Sequence, residues 1–386
     1  MKIFGKITFN SVFVTNFGLV LIMSLLLVGD TLTRVYLKEN LKFSFLFKAI
    51  ITLVLLVILV YSNKALLIGI VLLCLSVSVG MIFNNLNDFI PKTSLVFEYL
   101  SGLLFFNYLI INNKKRALSK IFMVVFIFYC STILIAFLFQ VGYLRTYYGQ
   151  RFGYMPFFSS QNEFSFIMIA IIIFFYKKYL KFPSEVNLVL VLMAITSSLL
   201  IGTKVSYIFS FSFIVYIFLK RYNFKILIFL TTLLFLLIFL LKDYIYKFLY
   251  ISNKVLLDVY SEKGFINFMS SLRYEFFKDR MDCQFLKMDF YNYLFGGIQI
   301  SCITEMSLTD ILLTFGLFGS LFYFYLLRKF ILKKLDLDIF GYYVITLIAI
   351  LSFLGGYYFE NLSAQFYVIG VLYIYYYPSK DLSQKT

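Results

Sequence analysis

The chain is 386 residues long, 62% hydrophobic and only 14% charged, with a net charge of +16 and no histidine. An ordinary soluble domain carries roughly 25% charged residues, so a water-soluble fold could not hide this much apolar surface. The missing histidine excludes histidine acid–base chemistry and argues against a zinc centre.

Long apolar runs recur at the length that crosses about 30 Å of hydrocarbon, and lipid obliges each crossing to satisfy its own backbone hydrogen bonds. The expected fold is therefore all-α, a polytopic transmembrane helical protein of about twelve spans. The runs predict spans at residues 12–29, 43–61, 65–83, 94–111, 118–139, 163–176, 186–201, 205–219, 226–241, 308–327, 339–357 and 362–377. The first follows a basic start but no small-residue cleavage pattern, so it reads as an uncleaved span. The seventh and eighth are separated only by Gly202, Thr203 and Lys204, which fits a tight hairpin or a single broken re-entrant element. No internal repeat or low-complexity tract appears, so residues 1–386 read as one polytopic domain. Residues 242–307 form one long insertion between the ninth and tenth spans.

Basic residues orient the chain, because Lys and Arg near span ends are retained on the cytoplasmic side. One alternate set of segments holds nineteen, among them Lys114, Lys115, Arg116, Lys177, Lys178, Arg328 and Lys329, and the opposite short loops hold seven. Both termini are expected in the cytoplasm and the long loop outside. Topology accounts for most of the positive charge, which makes nucleic acid an unlikely partner. Cys74 and Cys130 fall inside spans and read as packing residues. Cys283 and Cys302 fall in the long outer loop, where an oxidising compartment permits a bridge.

Three polar stations mark the outer side. The first runs from Arg145 through Tyr147, Tyr148 and Gly149 to Arg151 and Gly153, then past Pro156 to Gln161, Asn162 and Glu163 at the head of the sixth span. Two guanidinium groups beside a helix N-terminus can bind an anion; the alternative is interfacial anchoring, with Ser160 or Asn162 as a helix cap. The second station is Gly202-Thr203-Lys204, a lone cation in a turn barely long enough to leave the membrane, for which snorkelling is the ordinary account. The third is the long loop. Phe265, Met269, Leu272 and Phe276 share one side of a helical wheel, with Arg273 and Arg280 on one flank, as in a helix lying on a membrane surface. Headgroup binding is the ordinary account of those arginines. The loop ends at Gly296-Gly297 and Glu305 and enters the tenth span at Ser307, where Ser307 and Asp310 fit a capping box. Asp279, Asp282 and Asp289 offer a metal alternative, but the interleaved Arg280 and Lys287 favour a solvated, salt-bridged face.

These stations resemble a known pattern. The segment holding Arg151, Gly153, Pro156 and Asn162 is similar to the Arg-Gly-(Asn)-Pro-Asn region of the O-antigen polymerase and ligase superfamily. Ile201-Gly202-Thr203-Lys204 resembles that family's Gly-Ser-Arg turn, with Lys for Arg. Leu294-Phe295-Gly296-Gly297, Glu305, Asp310 and Gly316-Leu317-Phe318-Gly319 resemble its Gly-x-Gly, Glu, Asp and Gly-Leu-x-Gly sequence at the end of the large periplasmic loop. The match covers roughly residues 140–330. Met155 stands where the family often has Asn.

The resemblance implies a Wzy-type polymerase of bacterial surface polysaccharide, such as lipopolysaccharide O-antigen or capsule, in the cytoplasmic membrane. It would move a growing glycan from one polyprenyl (undecaprenyl-type) pyrophosphate carrier onto a second lipid-linked repeat unit. The ligase branch relies on a loop histidine, which this chain lacks. The resemblance also implies a separate chain-length regulator in the membrane. Neutralising the leaving pyrophosphate falls to Arg145, Arg151, Lys204, Arg273 and Arg280, with Asn162 beside them, without metal or cofactor. The attacking hydroxyl needs a proton acceptor, for which Glu305 stands first and Asp310 or Glu163 second. A transporter or flippase of lipid-linked oligosaccharide is the competing class. It calls for polar or charged residues near mid-membrane and paired broken helices in two related halves; the spans show almost none of the former and the chain no clear halves. A scaffolding subunit would tolerate neutralisation of Arg151 and Glu305.

Overall fold

The structure, a computed structural model, describes residues 16–36, 43–82, 89–146, 152–158, 160–221, 261–262, 278–280, 290–297, 306–355 and 358–378. Those residues are overwhelmingly helical. The helices are α1 (Asn16–Tyr36), α2 (Phe43–Ser62), α3 (Lys64–Ile82), α4 (Phe89–Asn112), α5 (Lys115–Leu138), α6 (Gln161–Lys181), α7 (Glu185–Leu200), α8 (Lys204–Arg221), α9 (Phe290–Phe295), α10 (Ser307–Phe330), α11 (Ile339–Gly355) and α12 (Leu362–Tyr376). Among the described residues the single extended pairing is an isolated bridge between Arg145 and Tyr154.

Four helices are long and apolar enough to cross a membrane: Lys64–Ile82, Thr93–Asn112, Lys115–Leu138 and Ser307–Lys334. Five further apolar helices are shorter: Gly18–Thr31, Phe47–Ser62, Glu185–Leu200, Ile339–Phe353 and Leu362–Tyr376. The ninth expected span, 226–241, lies outside the described residues, as does most of the insertion at 242–307, including Cys283 and Cys302. Near the end of that insertion α9 is a short helix. Cys130 is buried and Cys74 half-buried, both as free thiols.

The chain divides into two compact units, one formed by residues 1–128, 157–163 and 280–386, the other by residues 129–156 and 164–279. In the first, α1 packs on α2, α2 and α12 on α4, and α3 on α9 and α10. Its interior is aromatic. Phe105 stacks on Phe366 with ring centroids 4.0 Å apart, and Phe315 meets both Tyr99 and Tyr323 at 5.3 Å. One buried amide ties α12 to α4. Gln365 Oε1 accepts from the Gly102 N–H at 2.9 Å, and its Nε2 donates to the carbonyls of Glu98 at 3.0 Å and Phe359 at 2.6 Å. Gly102 admits this contact because a Cβ there would collide with the Gln365 side chain. Gln365→Leu removes all three hydrogen bonds, and it is expected to cost about 2–4 kcal/mol, since each is worth roughly 0.5–1.5. A lowered unfolding midpoint in detergent is the check.

Helix α10 is broken where Gly316 adopts φ 68° and ψ −177°. The carbonyls freed by the break find new donors, as burial requires. Gly297 N–H donates to Thr314 O at 3.0 Å, and Ser320 Oγ to Ile311 O at 3.0 Å. Buried Asn292 pins the crossing by donating to the carbonyls of Gly80 at 3.1 Å and Gly296 at 3.2 Å. The second unit is organised around α6, whose residues from 164 to 176 are all buried, and around the α7–α8 hairpin. Ser184 caps α7 by accepting from the Asn187 N–H at 3.2 Å.

Candidate functional site

The second unit holds Arg145 and Gly153 of the first polar station together with the whole of the second. After α5 the chain turns through Gly142–Leu144 and doubles back. Thr146 N–H donates to Gly153 O and Met155 N–H to Leu144 O, both at 2.9 Å. The returning strand is then tied to the end of α7, where Tyr154 N–H donates to Leu200 O at 2.8 Å. Gly202 turns the chain with φ 78°, and a Cβ there would strike the Phe152 carbonyl. A Cβ on Gly153 would likewise strike the Ile201 carbonyl. Both glycines are needed because two backbones pass in contact. The Thr203 hydroxyl fixes the turn, sharing a 2.6 Å hydrogen bond with Ser165 and donating to Ser206 Oγ at 2.8 Å.

Two basic residues flank this junction. Arg145 lies on the isolated bridge, half-buried, with a guanidinium nitrogen 3.5 Å from Gln140 Oε1. That oxygen also accepts a 2.6 Å hydrogen bond from the Tyr154 hydroxyl. Lys204 opens α8, and its nitrogen is buried. The snorkelling account of Lys204 is therefore corrected: its stem does not carry the ammonium out to water. Arg151, Glu305 and Arg273 lie outside the described residues.

Within the first unit, Asn162 sits half-buried in the first turn of α6, Arg280 is half-buried, and Asp310 is fully buried. The expected capping box at Ser307 and Asp310 does not form. The N-cap of α10 is Met306, with φ −113° and ψ 102°, and it makes no side-chain cap. Ser307 falls one residue inside the helix, where its hydroxyl cannot reach back to cap the first turn. Asp310 thus loses its purely structural account. It lies near buried Tyr99, whose hydroxyl donates to Glu360 at 3.1 Å, while Tyr323 donates to the Tyr99 carbonyl at 3.0 Å.

A charged cluster that the apolar runs concealed lies in the same unit. Lys48 Nζ on α2 stands 3.7 Å from Asp30 on α1 and 3.5 Å from Glu163 at the head of α6. The side chains are 14% exposed for Lys48 and 1% for each carboxylate. Ser363 Oγ donates to Asp30 at 3.2 Å, Asn361 and Ser363 face Glu163, and the Glu98 carboxylate is close enough to act on Lys48. All three charges stand at or next to the ends of the expected spans 12–29, 43–61 and 163–176 rather than near their middles. One signal was present: Asp30 and Lys48 are single opposite charges at facing ends of consecutive apolar runs, and such charges usually pair or serve a site. Among the described residues, no three His, Cys, Asp or Glu side chains converge as a metal site.

Comparison with protein-family models, with curated proteins and with solved structures returns no match. Fold and site together define an all-helical protein with several helices long and apolar enough to span a membrane. It carries a basic junction in one unit and a buried carboxylate–lysine cluster in the other.

Proposed function

We propose that the chain is a polymerase of bacterial surface polysaccharide, acting on polyprenyl-pyrophosphate-linked repeat units at the outer face of the cytoplasmic membrane. The observation that carries this reading is the backbone junction of residues 144–146 and 152–155 with residues 200–202. It sets residues 152–154 against residues 200–202, within two stretches, one holding Gly153 and Pro156 and the other Ile201-Gly202-Thr203-Lys204, that resemble successive motifs of the O-antigen polymerase family. The packing of Gly296 and Gly297 against the break at Gly316 gives the third motif a similar backbone rationale.

In the proposed reaction an acceptor sugar hydroxyl attacks the anomeric carbon of the growing glycan. The bond from that carbon to the carrier pyrophosphate breaks, and the electron pair leaves with the pyrophosphate. Arg145, Arg151, Lys204, Arg273 and Arg280 supply positive charge for that leaving group, and Asn162 a polar contact. The hydroxyl proton passes to a carboxylate, Glu305 first, with Asp310 and Glu163 as alternatives. A membrane partner that regulates chain length belongs to the same proposal.

Lys204→Met is expected to cut polymer formation in membrane vesicles supplied with lipid-linked repeat units by on the order of a hundredfold, the usual loss when one stabilising group is removed. Lys204→Arg should retain most of it. Wild-type rates in Lys204→Met would remove Lys204 from the site. A second reading, a transporter of lipid-linked oligosaccharide, is favoured by the Asp30–Lys48–Glu163 cluster and the broken α10, both features of transport pathways. Repeat units trapped on the cytoplasmic face of a deletion strain would select it. Units trapped unpolymerised on the outer face select the polymerase.

A further inference from the structure

The buried cluster of Asp30, Lys48 and Glu163 does not balance its own charge. Lys48 Nζ stands 3.7 Å from Asp30 Oδ1 and 3.5 Å from Glu163 Oε1, so two carboxylates share one ammonium. Both carboxylates are almost wholly removed from solvent. A surplus negative charge is costly in such surroundings, and two carboxylates at one site ordinarily resolve it by keeping a proton on one of them. Glu98 on α4, the further carboxylate whose charge reaches Lys48, deepens the deficit.

The hydrogen bonds say which carboxylate takes that proton. Asp30 accepts from Ser363 Oγ at 3.2 Å, which favours its anion. Asn361 and Ser363 face Glu163, yet among the described residues neither Glu163 oxygen accepts a hydrogen bond of proper geometry, and both oxygens are buried. Ser363 has one hydroxyl proton and donates it to Asp30, so toward Glu163 it presents only lone pairs. Those repel a carboxylate but accept from a carboxylic acid. A metal ion fits less well, because the Lys48 ammonium already stands beside both carboxylates and repels a second cation, whereas a proton bonds to one oxygen and needs no ligand shell.

We propose that the cluster is a proton-binding site: Glu163 takes up one exchangeable proton at a carboxylate oxygen, its O–H turned toward Ser363 Oγ, while Asp30 and Lys48 remain an ion pair. The assignment does not depend on the polymerase reading; within that reading, a loaded Glu163 leaves Glu305 and Asp310 to accept the proton of the sugar hydroxyl. Infrared spectroscopy of the purified full chain in detergent is the test. At neutral pH, where solvated carboxyls are ionised, wild type should show the C=O stretch of a neutral carboxyl that shifts in D2O and is missing from Glu163→Gln. Isotopic labelling of glutamate carboxyls should displace this band, and labelling of aspartate carboxyls should not. Asp30→Asn should also lose it, because one carboxylate per ammonium lets Glu163 ionise; this variant and the labels decide the matter should Glu163→Gln lose its monodisperse elution profile. Folding then takes up a proton, so the folding constant should rise as pH falls toward the ordinary carboxyl range, by up to about tenfold per pH unit more in wild type than in Glu163→Gln. A wild-type spectrum without the band, a band displaced by labelled aspartate, or one that survives in Glu163→Gln or Asp30→Asn overturns the assignment. So does an unfolding midpoint that rises in sodium chloride over choline chloride at equal ionic strength, which would give the site to a metal ion.

Discussion

Lys48→Met is expected to destabilise the folded chain by about 3–5 kcal/mol, the usual loss when one partner of a buried ion pair is removed and the other is left uncompensated. Here two carboxylates are stranded, since Asp30 and Glu163 both lie within 4 Å of the same nitrogen and both are almost wholly buried. Asp30 keeps its hydrogen bond from Ser363, which softens the loss on that side. The cluster also links α1, α2 and the head of α6, so its failure should loosen the packing of α1 against α2. The control is the triple variant Asp30→Asn, Lys48→Met, Glu163→Gln. Removing all three charges together should recover most of the loss, because replacing a whole buried ion cluster is often close to neutral. Thermal unfolding of the purified proteins in detergent is the readout. A Lys48→Met protein as stable as wild type would mean that the cluster is not buried as described.

Gly316→Val should abolish accumulation of the protein in membranes. The residue sits at φ 68°, where a β-branched side chain is strained, and a Cβ would run into the backbones of Leu294 and Gly296. The neighbours cannot yield, because Asn292 and the Gly297–Thr314 hydrogen bond hold that backbone in place. Gly319→Ala is the matched control. A Cβ there meets side-chain atoms of Phe315, Ser76 and Leu73, the nearest at 3.0 Å, so a small shift accommodates it. Membrane levels of Gly319→Ala should stay within about twofold of wild type, as a surplus of about 0.5 kcal/mol implies. Equal levels for Gly316→Val would show that α10 runs unbroken through this position.

The helical class was legible from composition and from the length of the apolar runs, because hydrocarbon leaves no cheaper way to satisfy a backbone. The turn at Gly202-Thr203-Lys204 was legible too: it separates α7 from α8, as both the hairpin and the re-entrant reading require. What the sequence could not reveal is long-range pairing. Nothing local relates Asp30 and Lys48 to Glu163, more than a hundred residues away, and a hydropathy profile averages such single charges out of sight. The capping box at Ser307 failed for a finer reason: the pattern fixes the spacing of Ser307 and Asp310 but not the residue at which helical dihedrals begin, and that start falls one position earlier. Gly296, Gly297 and Gly316 drew notice as a motif, whereas Gly80, the fourth glycine at the same crossing, looked like an ordinary small residue of an apolar run.

The central claim is polymerisation, and the most direct measurement is the surface polysaccharide ladder on a gel. It compares a strain deleted for the gene with the same strain complemented by wild type or by Arg151→Ala at matched membrane levels. The account predicts that the deletion and Arg151→Ala strains lose the ladder and keep single-repeat glycan on the outer face, while wild type restores it. A full ladder in the deletion strain would contradict the account.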